Sequence, residues 1–163
     1  MSRSSSRKPR ERDEALSCVL KAIRNHRRMT VQQVADLMAL NKRTYERFEA
    51  GEGFLKVDRI FAFARATDSD PYANWASVKM GAPDFAIACI DSKLLLLCVA
   101  HARELFLQEG ADLANLQAAP IVEALKVAFT MLSAELDRSR KAANRWLGDP
   151  GDPGDPGDPT AED

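Results

Sequence analysis

The sequence contains few cysteines and histidines, and their placement offers no metal or redox site. The three cysteines are Cys18, Cys89 and Cys98, and no two of them show the close spacing of a thiolate metal motif. The two histidines, His26 and His101, lie far apart and far from any carboxylate pair at ligand spacing. We therefore expect no metal, no cofactor, and thiols that are reduced and buried.

Long apolar runs are also missing. The longest one, Leu94–Ala100, is far short of the roughly 18 to 20 apolar residues that a membrane helix needs. The first residues, 1–12, are rich in serine and arginine but precede no apolar segment, so they do not resemble a secretory signal. A phosphate-binding loop and a nucleophile with a matched base are absent as well. We expect a cytoplasmic, nucleoid-associated protein with no membrane partner, no catalytic residues and no enzymatic activity.

An uneven distribution of charge is what the sequence does contain. The chain has 163 residues, 45% of them hydrophobic, and a net charge of only -1. Residues 1–65 carry 15 Lys and Arg against 8 Asp and Glu, whereas residues 66–163 carry 8 against 16. The basic part suits a polyanionic partner, and the acidic part would repel one. Charge alone leaves a simple solvating role for the basic residues equally open.

Hydrophobic periodicity in the basic part predicts short amphipathic helices. Apolar residues recur at helical spacing over 13–28, which indicates a first helix. Thr30 is a typical N-cap, and Gln33 completes a capping box at the start of a second helix. Asn41 offers an N-cap for a third helix, which Gly51 ends. Two short helices joined by about three residues are typical of a helix-turn-helix, whose second helix enters the DNA major groove.

Two further helices are expected to complete this domain. One begins at Val57 with apolar residues at helical spacing, and the other begins at Asp70 and continues to Met80. The expected architecture is therefore an all-α, compact five-helix domain over residues 13–80.

The run TVQQVADLMALNKRTYERFEAGEG, residues 30–53, resembles the lambda-repressor-like helix-turn-helix family, also called the XRE family. The similarity extends without gaps over about Leu16 to Tyr72. Its most typical residues are Gln33-Val34-Ala35, Arg47, Phe48-Glu49 and Gly51. Two positions depart from the family: Ala39 stands where a glycine is common in the turn, and Val31 where a polar residue often contacts phosphate. The resemblance implies a DNA-binding transcriptional regulator.

In this family the recognition helix contacts bases through its first turn and through one residue a turn later. The corresponding residues here are Lys42, Arg43, Thr44 and Arg47. At about 100° per residue, the three cations project away from the side that carries Tyr45 and Phe48. Arg and Lys suit guanine O6 and N7, and the Thr44 methyl suits thymine, so we expect G/C in the half-site. The candidates for phosphate contact are Thr30, Gln32, Asn41, Lys56 and Arg59.

Residues 84–147 predict a long two-helix antiparallel hairpin. Its first helix is expected over Phe85–Gln108, with His101 as an interior residue on a leucine stripe. The second helix is expected to begin at Pro120, which lies in its first turn, and to end at about Leu147. A hairpin alone cannot bury so much apolar surface, so we expect packing on a second copy, as a homodimer, or on the DNA-binding domain. A dimer would place two half-sites one DNA turn apart.

Both ends of the chain are expected to be disordered. The basic arm, 1–12, could follow the DNA backbone or simply aid solubility. Residues 148–163 contain four copies of Gly-Asp-Pro and form an acidic tail that could compete with DNA, contact the transcription machinery or be inert. We favour a homodimeric regulator that binds double-stranded DNA. The alternative is an interaction module, an antitoxin or adaptor, whose C-terminal helices bind another protein.

Overall fold

The structure is a computed structural model that describes residues 9–52 and 56–146, with side chains from residue 13 onward. Over these residues the chain forms eight α-helices, one 3-10 helix and no strand. The predicted all-α class is therefore confirmed for the described part of the chain. The chain divides into two compact units, residues 1–108 and residues 109–163.

Seven helices form the first unit, the last of them ending one residue beyond it. They are α1 (Pro9–His26), α2 (Val31–Leu37), α3 (Lys42–Glu49), α4 (Val57–Ala66), α5 (Pro71–Met80), α6 (Pro83–Ala88) and α7 (Leu94–Glu109). The second unit contains a 3-10 helix (Gly110–Asn115) and α8 (Ala118–Trp146).

The N-terminal boundary differs from the prediction. Helix α1 begins at Pro9, so residues 9–12 are helical although the sequence predicts a disordered arm up to residue 12. Proline is compatible with the first turn of a helix, and the Arg and Glu residues that follow it are good helix formers. Residues 1–8 and the acidic tail from residue 148 lie outside the described residues, and their predicted disorder stays a prediction.

One apolar core holds the first unit together. Helix α1 supplies four side chains at helical spacing, and each is at most 3% exposed. These four are Leu16, Val19, Leu20 and Ile23. Helices α2 to α6 and the link after α6 close around them with Val34, Ala35, Tyr45, Phe48, Phe63, Val78, Ala86 and Ile90. Because Ala86 and Ile90 belong to this core, the domain extends beyond the boundary expected at Met80.

The predicted helix caps are confirmed. The backbone N–H of Thr30 donates to Gln33 Oε1 at 2.8 Å, and the N–H of Gln33 donates to Thr30 Oγ1 at 3.2 Å. Asn41 Oδ1 accepts from the N–H of Thr44 at 2.8 Å. Each cap satisfies a helix N–H that has no partner within its own helix. These local bonds fix where α2 and α3 begin.

The prediction of a single helix over Phe85–Gln108 is wrong, because a non-helical link separates α6 from α7. Lys93 adopts a left-handed φ of 52° in this break. The fully buried Asp70 stabilises the start of α7. Its Oδ1 caps α5, and its Oδ2 accepts from the N–H of Leu96, in the first turn of α7, at 2.9 Å. A carboxylate that caps two helices is a tertiary contact, which helical periodicity does not encode.

Several exposures also differ from the predictions. His101 is exposed, not interior, and its Nδ1 lies 2.9 Å from Glu104 Oε2. Of the cysteines only Cys89 is buried, whereas Cys18 and Cys98 are exposed. Val57, expected on the inner face of α4, is 52% exposed. The first half of α7, Leu94–Ala100, is apolar around its circumference, so its leucine stripe alone does not define an inner face.

The second unit is dominated by α8, which is 29 residues long and has no buried residue. The predicted start of the last helix near Pro120 is confirmed to within two residues, since α8 begins at Ala118. The antiparallel pairing of the last two helices stays a prediction. Among the described helices, none has a segment that is both long and apolar enough to span a membrane.

Ala39 offers a test of backbone strain in the link between α2 and α3. Its φ is 53°, a left-handed value that an alanine adopts at a penalty of roughly 1 kcal/mol. We expect Ala39→Gly to raise the free energy of unfolding by about 1 kcal/mol, as measured by urea denaturation. The control is Ala50→Gly at φ -72°, which should lower it by about 0.5 to 1 kcal/mol. Equal effects of the two substitutions would contradict the role of strain.

Candidate nucleic-acid interface

The chain turns sharply between α2 and α3. After α2 ends, the N–H of Leu40 donates to Ala35 O at 2.9 Å, and the N–H of Ala39 donates to Asp36 O at 3.0 Å. These two bonds form a Schellman motif with alanine at the left-handed position. Leu40 then packs against the core, so the turn anchors the start of α3.

Helix α3 has one buried and one exposed face. Tyr45, Phe48 and Glu49 are buried on one side. Lys42, Arg43 and Arg47 are exposed on the other, while Thr44 lies half-buried at the boundary. The predicted base-contacting cations therefore share one accessible surface, together with Glu46.

Two of the three cations already have carboxylate partners. Lys42 Nζ lies 3.8 Å from Glu46 Oε1, and Arg47 Nε lies 3.0 Å from Glu52 Oε2. Arg43 makes no ion pair or hydrogen bond with another described side chain. All four paired groups are at least half exposed, so each pair is worth about 0 to 1 kcal/mol. A polyanion can therefore displace these carboxylates with little loss of stabilising energy.

The predicted phosphate contacts have different surroundings. Thr30 and Asn41 use their side-chain oxygens as helix caps. Gln32 Nε2 donates to Asp36 Oδ1 at 2.7 Å, so this amide is engaged along α2. Lys56 is exposed at the N-cap of α4, and Arg59 is half-buried with no ion partner among the described side chains. Of these five candidates, Lys56 and Arg59 are the two cations, and no described carboxylate pairs with either.

A buried ion pair joins α3 to α1, and the sequence analysis missed it. Arg24 Nε donates to Glu49 Oε1 at 2.6 Å, and Arg24 Nη2 donates to Glu49 Oε2 at 3.2 Å. The side chains are only 17% and 7% exposed. Tyr45 adds a third bond, from its hydroxyl to Glu49 Oε1 at 2.8 Å. A sequence signal existed, since Glu49 falls four residues after Tyr45 on the apolar face, where a charge requires a partner.

The protonation states in this cluster follow from its contacts. The hydrogen bond to Glu49 raises the pKa of Arg24 above its ordinary value. Burial, and then the hydrogen bond to Glu49, raise the pKa of Tyr45 far above its ordinary value. Arg24 therefore stays charged and Tyr45 keeps the proton that it donates. The result is a fixed, fully bonded support beneath the exposed face of α3.

A second ionic cluster ties together the ends of several helices. Arg27 Nε donates to Thr67 O at 3.0 Å, and its Nη2 lies 2.9 Å from Asp91 Oδ1. Lys93 Nζ lies 3.0 Å from Asp68 Oδ1 and also donates to the Asp68 carbonyl. The bond to Lys93 lowers the pKa of Asp68 below its ordinary value. These two cations are engaged by the fold and are poor candidates for DNA contact.

Among the described side chains, no group of three or more His, Cys, Asp or Glu is arranged to hold a metal ion. Comparison of the chain with protein-family models, with curated proteins and with solved structures gave no significant match.

Proposed function

We propose that this protein is a sequence-specific DNA-binding transcriptional regulator that inserts α3 into the major groove. The observation that carries the proposal is the set of three cations on the exposed face of a short helix whose other face is buried. A major groove admits one α-helix, and Arg or Lys side chains on it can donate to guanine O6 and N7. The resemblance of residues 30–53 to the lambda-repressor-like family supports the same function.

The packing beneath α3 supports this function because base recognition needs a helix held at a fixed angle. The Arg24–Glu49 pair, with bonds of 2.6 and 3.2 Å, joins α3 to α1 from below. The turn after α2 holds its start, since Leu40 packs on the core. A rigid element that presents side chains within a fraction of an ångström favours bidentate contacts.

Arg43 is the side chain that we assign the strongest base contact. It is exposed in the first turn of α3, and no described carboxylate competes for it. Lys42 and Arg47 would exchange Glu46 and Glu52 for bases or phosphates. Thr44 meets a thymine methyl in this arrangement, and Lys56 and Arg59 contact phosphates. We further propose a homodimer on a two-fold site with G/C in each half.

The test is the replacement Arg43→Ala, with Arg65→Ala as the matched control. Both arginines are exposed and both substitutions remove one positive charge, but Arg65 lies in the last turn of α4. Bound fragments are first selected from a genomic library at about 150 mM salt, since salt screens phosphate contacts. We expect a two-fold G/C-containing motif, to which Arg43→Ala loses about 1 to 3 kcal/mol of affinity, or roughly 5- to 150-fold.

The control makes the outcome decisive. Arg65→Ala should keep the motif and lose at most a few-fold in affinity, because it removes only long-range charge. If no motif emerges, or if the two variants behave alike, the base-contacting role of α3 is refuted.

An interaction module, such as an antitoxin or adaptor, is the second candidate function. The observation that favours it is the apolar surface of the second unit, where Val127, Met131 and Leu136 are each at least 60% exposed. Large exposed apolar surfaces often mark protein contact sites. A different protein that copurifies at fixed stoichiometry with the native chain, together with weak DNA binding, would support this function over the first.

A further inference from the structure

Helix α8 carries an apolar seam that nothing in the described chain buries. Its members are Val122, Leu125, Phe129, Leu132 and Leu136, and each is at least 45% exposed. Their spacing alternates between three and four residues, which is the heptad pattern of two-stranded coiled coils. The same register continues through Ser139 and Ala143 to Trp146, which is 93% exposed. At about 1.5 Å per residue, α8 is about 44 Å long, enough for four heptads.

We propose that α8 pairs in parallel with α8 of a second copy of this chain, with this seam at the centre of a coiled coil. A second copy is the fitting occupant because an identical seam presents the same knobs and holes at the same heights. The surface between successive seam residues is concave: Val122, Leu125 and Phe129 line a shallow groove with Lys126 and Ser133 at its side. Such a groove accepts a knob from a facing helix.

The flanking charges decide the orientation. In the heptad register, Lys126, Ser133 and Arg140 occupy one flank of the seam, and Glu135 carries the charge on the other flank. A parallel pair places Glu135 opposite Arg140 of the second copy, five residues further on, which is attractive. An antiparallel pair would place the flank of Lys126 and Arg140 against itself, where both charges are positive. The charge pattern therefore favours the parallel arrangement.

Existing contacts do not oppose this pairing. Glu135 Oε2 lies 2.5 Å from Arg138 Nη2, and Arg140 Nη2 lies 3.5 Å from Asp137 Oδ1 within the same helix. Each of these groups is more than half exposed, so their intrahelical pairs contribute little and exchange readily for pairs between helices. The inference deepens the homodimer of the proposed function, and it stands on α8 without any DNA contact.

The first test compares Leu132→Glu with Met131→Glu by sedimentation of the full chain without DNA. The two residues are adjacent, apolar and exposed by 47% and 67%, so neither substitution should unfold the chain. We expect the native chain and Met131→Glu to be dimers at micromolar concentration. Leu132→Glu should raise the dimer Kd at least about 100-fold, because each of the two copies then places one charge in the apolar seam. A monomeric native chain, or equal effects of the two variants, would overturn the proposal.

The second test determines the orientation by disulfide formation. In a Cys18→Ser/Cys98→Ser background, Ser139→Cys lies on the seam near the end of the helix, and Ala134→Cys lies on the outer face. A parallel pair brings the two copies of residue 139 together, so Ser139→Cys should form a covalent dimer rapidly and Ala134→Cys should not. Slow or equal cross-linking would refute the parallel pair.

A last comparison separates this inference from the proposed function. Arg43→Ala should sediment as the native dimer whatever its affinity for DNA. A dimer that selects no DNA motif would refute the regulator alone. A monomer that selects one would refute the coiled coil and the homodimer but leave DNA recognition by α3 standing.

Discussion

Replacing Glu49 by alanine is expected to lower the free energy of unfolding by about 3 to 5 kcal/mol. The substitution removes both carboxylate acceptors of the Arg24 guanidinium, which is only 17% exposed. The charge would then keep only the Met29 carbonyl, which accepts from Nη1 at 3.2 Å. The substitution also removes the acceptor of the buried Tyr45 hydroxyl. A largely buried charge that loses its counter-ion and a buried hydroxyl that loses its acceptor are each unfavourable, since water replaces the lost bonds only in part. Urea denaturation followed by circular dichroism measures the change.

Glu46→Ala is the matched control for this prediction. Glu46 lies three residues earlier on the same helix, is half exposed and faces Lys42 at 3.8 Å. Its removal should change the free energy of unfolding by less than about 1 kcal/mol, because exposed ion pairs contribute little. Similar losses for Glu46→Ala and Glu49→Ala would show that the pair of Arg24 and Glu49 contributes no more than an exposed ion pair.

A combined replacement separates the partner effect from the pair's net contribution. Arg24→Met/Tyr45→Phe/Glu49→Leu removes every buried polar group of the cluster while keeping similar volumes. We expect this variant to recover most of the loss seen for Glu49→Ala, because apolar replacement of a whole buried pair is often neutral. If it is as unstable as Glu49→Ala, the loss arises from packing and not from an unpaired charge.

The helices that could be predicted from the sequence are those whose ends are set locally. Thr30, Asn41 and Asp70 cap helices with side chains that bond to backbone two or three residues away. The inner face of α1 follows from spacing alone, since residues three and four apart share one side of a helix. The exposed face of α3 was predictable for the same reason.

What the sequence analysis missed depends on partners distant in the chain. Glu49 meets Arg24 across 25 residues, and Leu96 meets Asp70 across 26. The apolar spacing runs on from Phe85 to the apolar run at Leu94, so periodicity alone conceals the break between α6 and α7, although the polar residues Asp91-Ser92-Lys93 lie there. Such contacts form only when several helices pack together, which explains why one long helix was predicted in their place.

Gly51→Ala is the second substitution with a large expected effect, a loss of about 3 kcal/mol in the free energy of unfolding. Gly51 ends α3 at a φ of 80°, with its N–H donating to Phe48 O at 3.0 Å. A Cβ built on this backbone would lie only 2.2 Å from the backbone oxygen of Asp13. Alanine thus suffers both an unfavourable φ and a clash with a backbone atom that cannot rotate away.

Gly110→Ala isolates the clash from the conformational penalty. Gly110 also has a positive φ, 56°, but a Cβ there would meet no atom of the described chain within 4 Å. It should therefore lose only about 1 kcal/mol, from φ alone. Gly51 holds the end of α3 against α1. Under the proposed function, Gly51→Ala should therefore also weaken DNA binding under conditions where the variant stays folded, while Gly110→Ala should not. Equal losses of stability in the two variants would mean that the close approach of Gly51 to Asp13 contributes nothing.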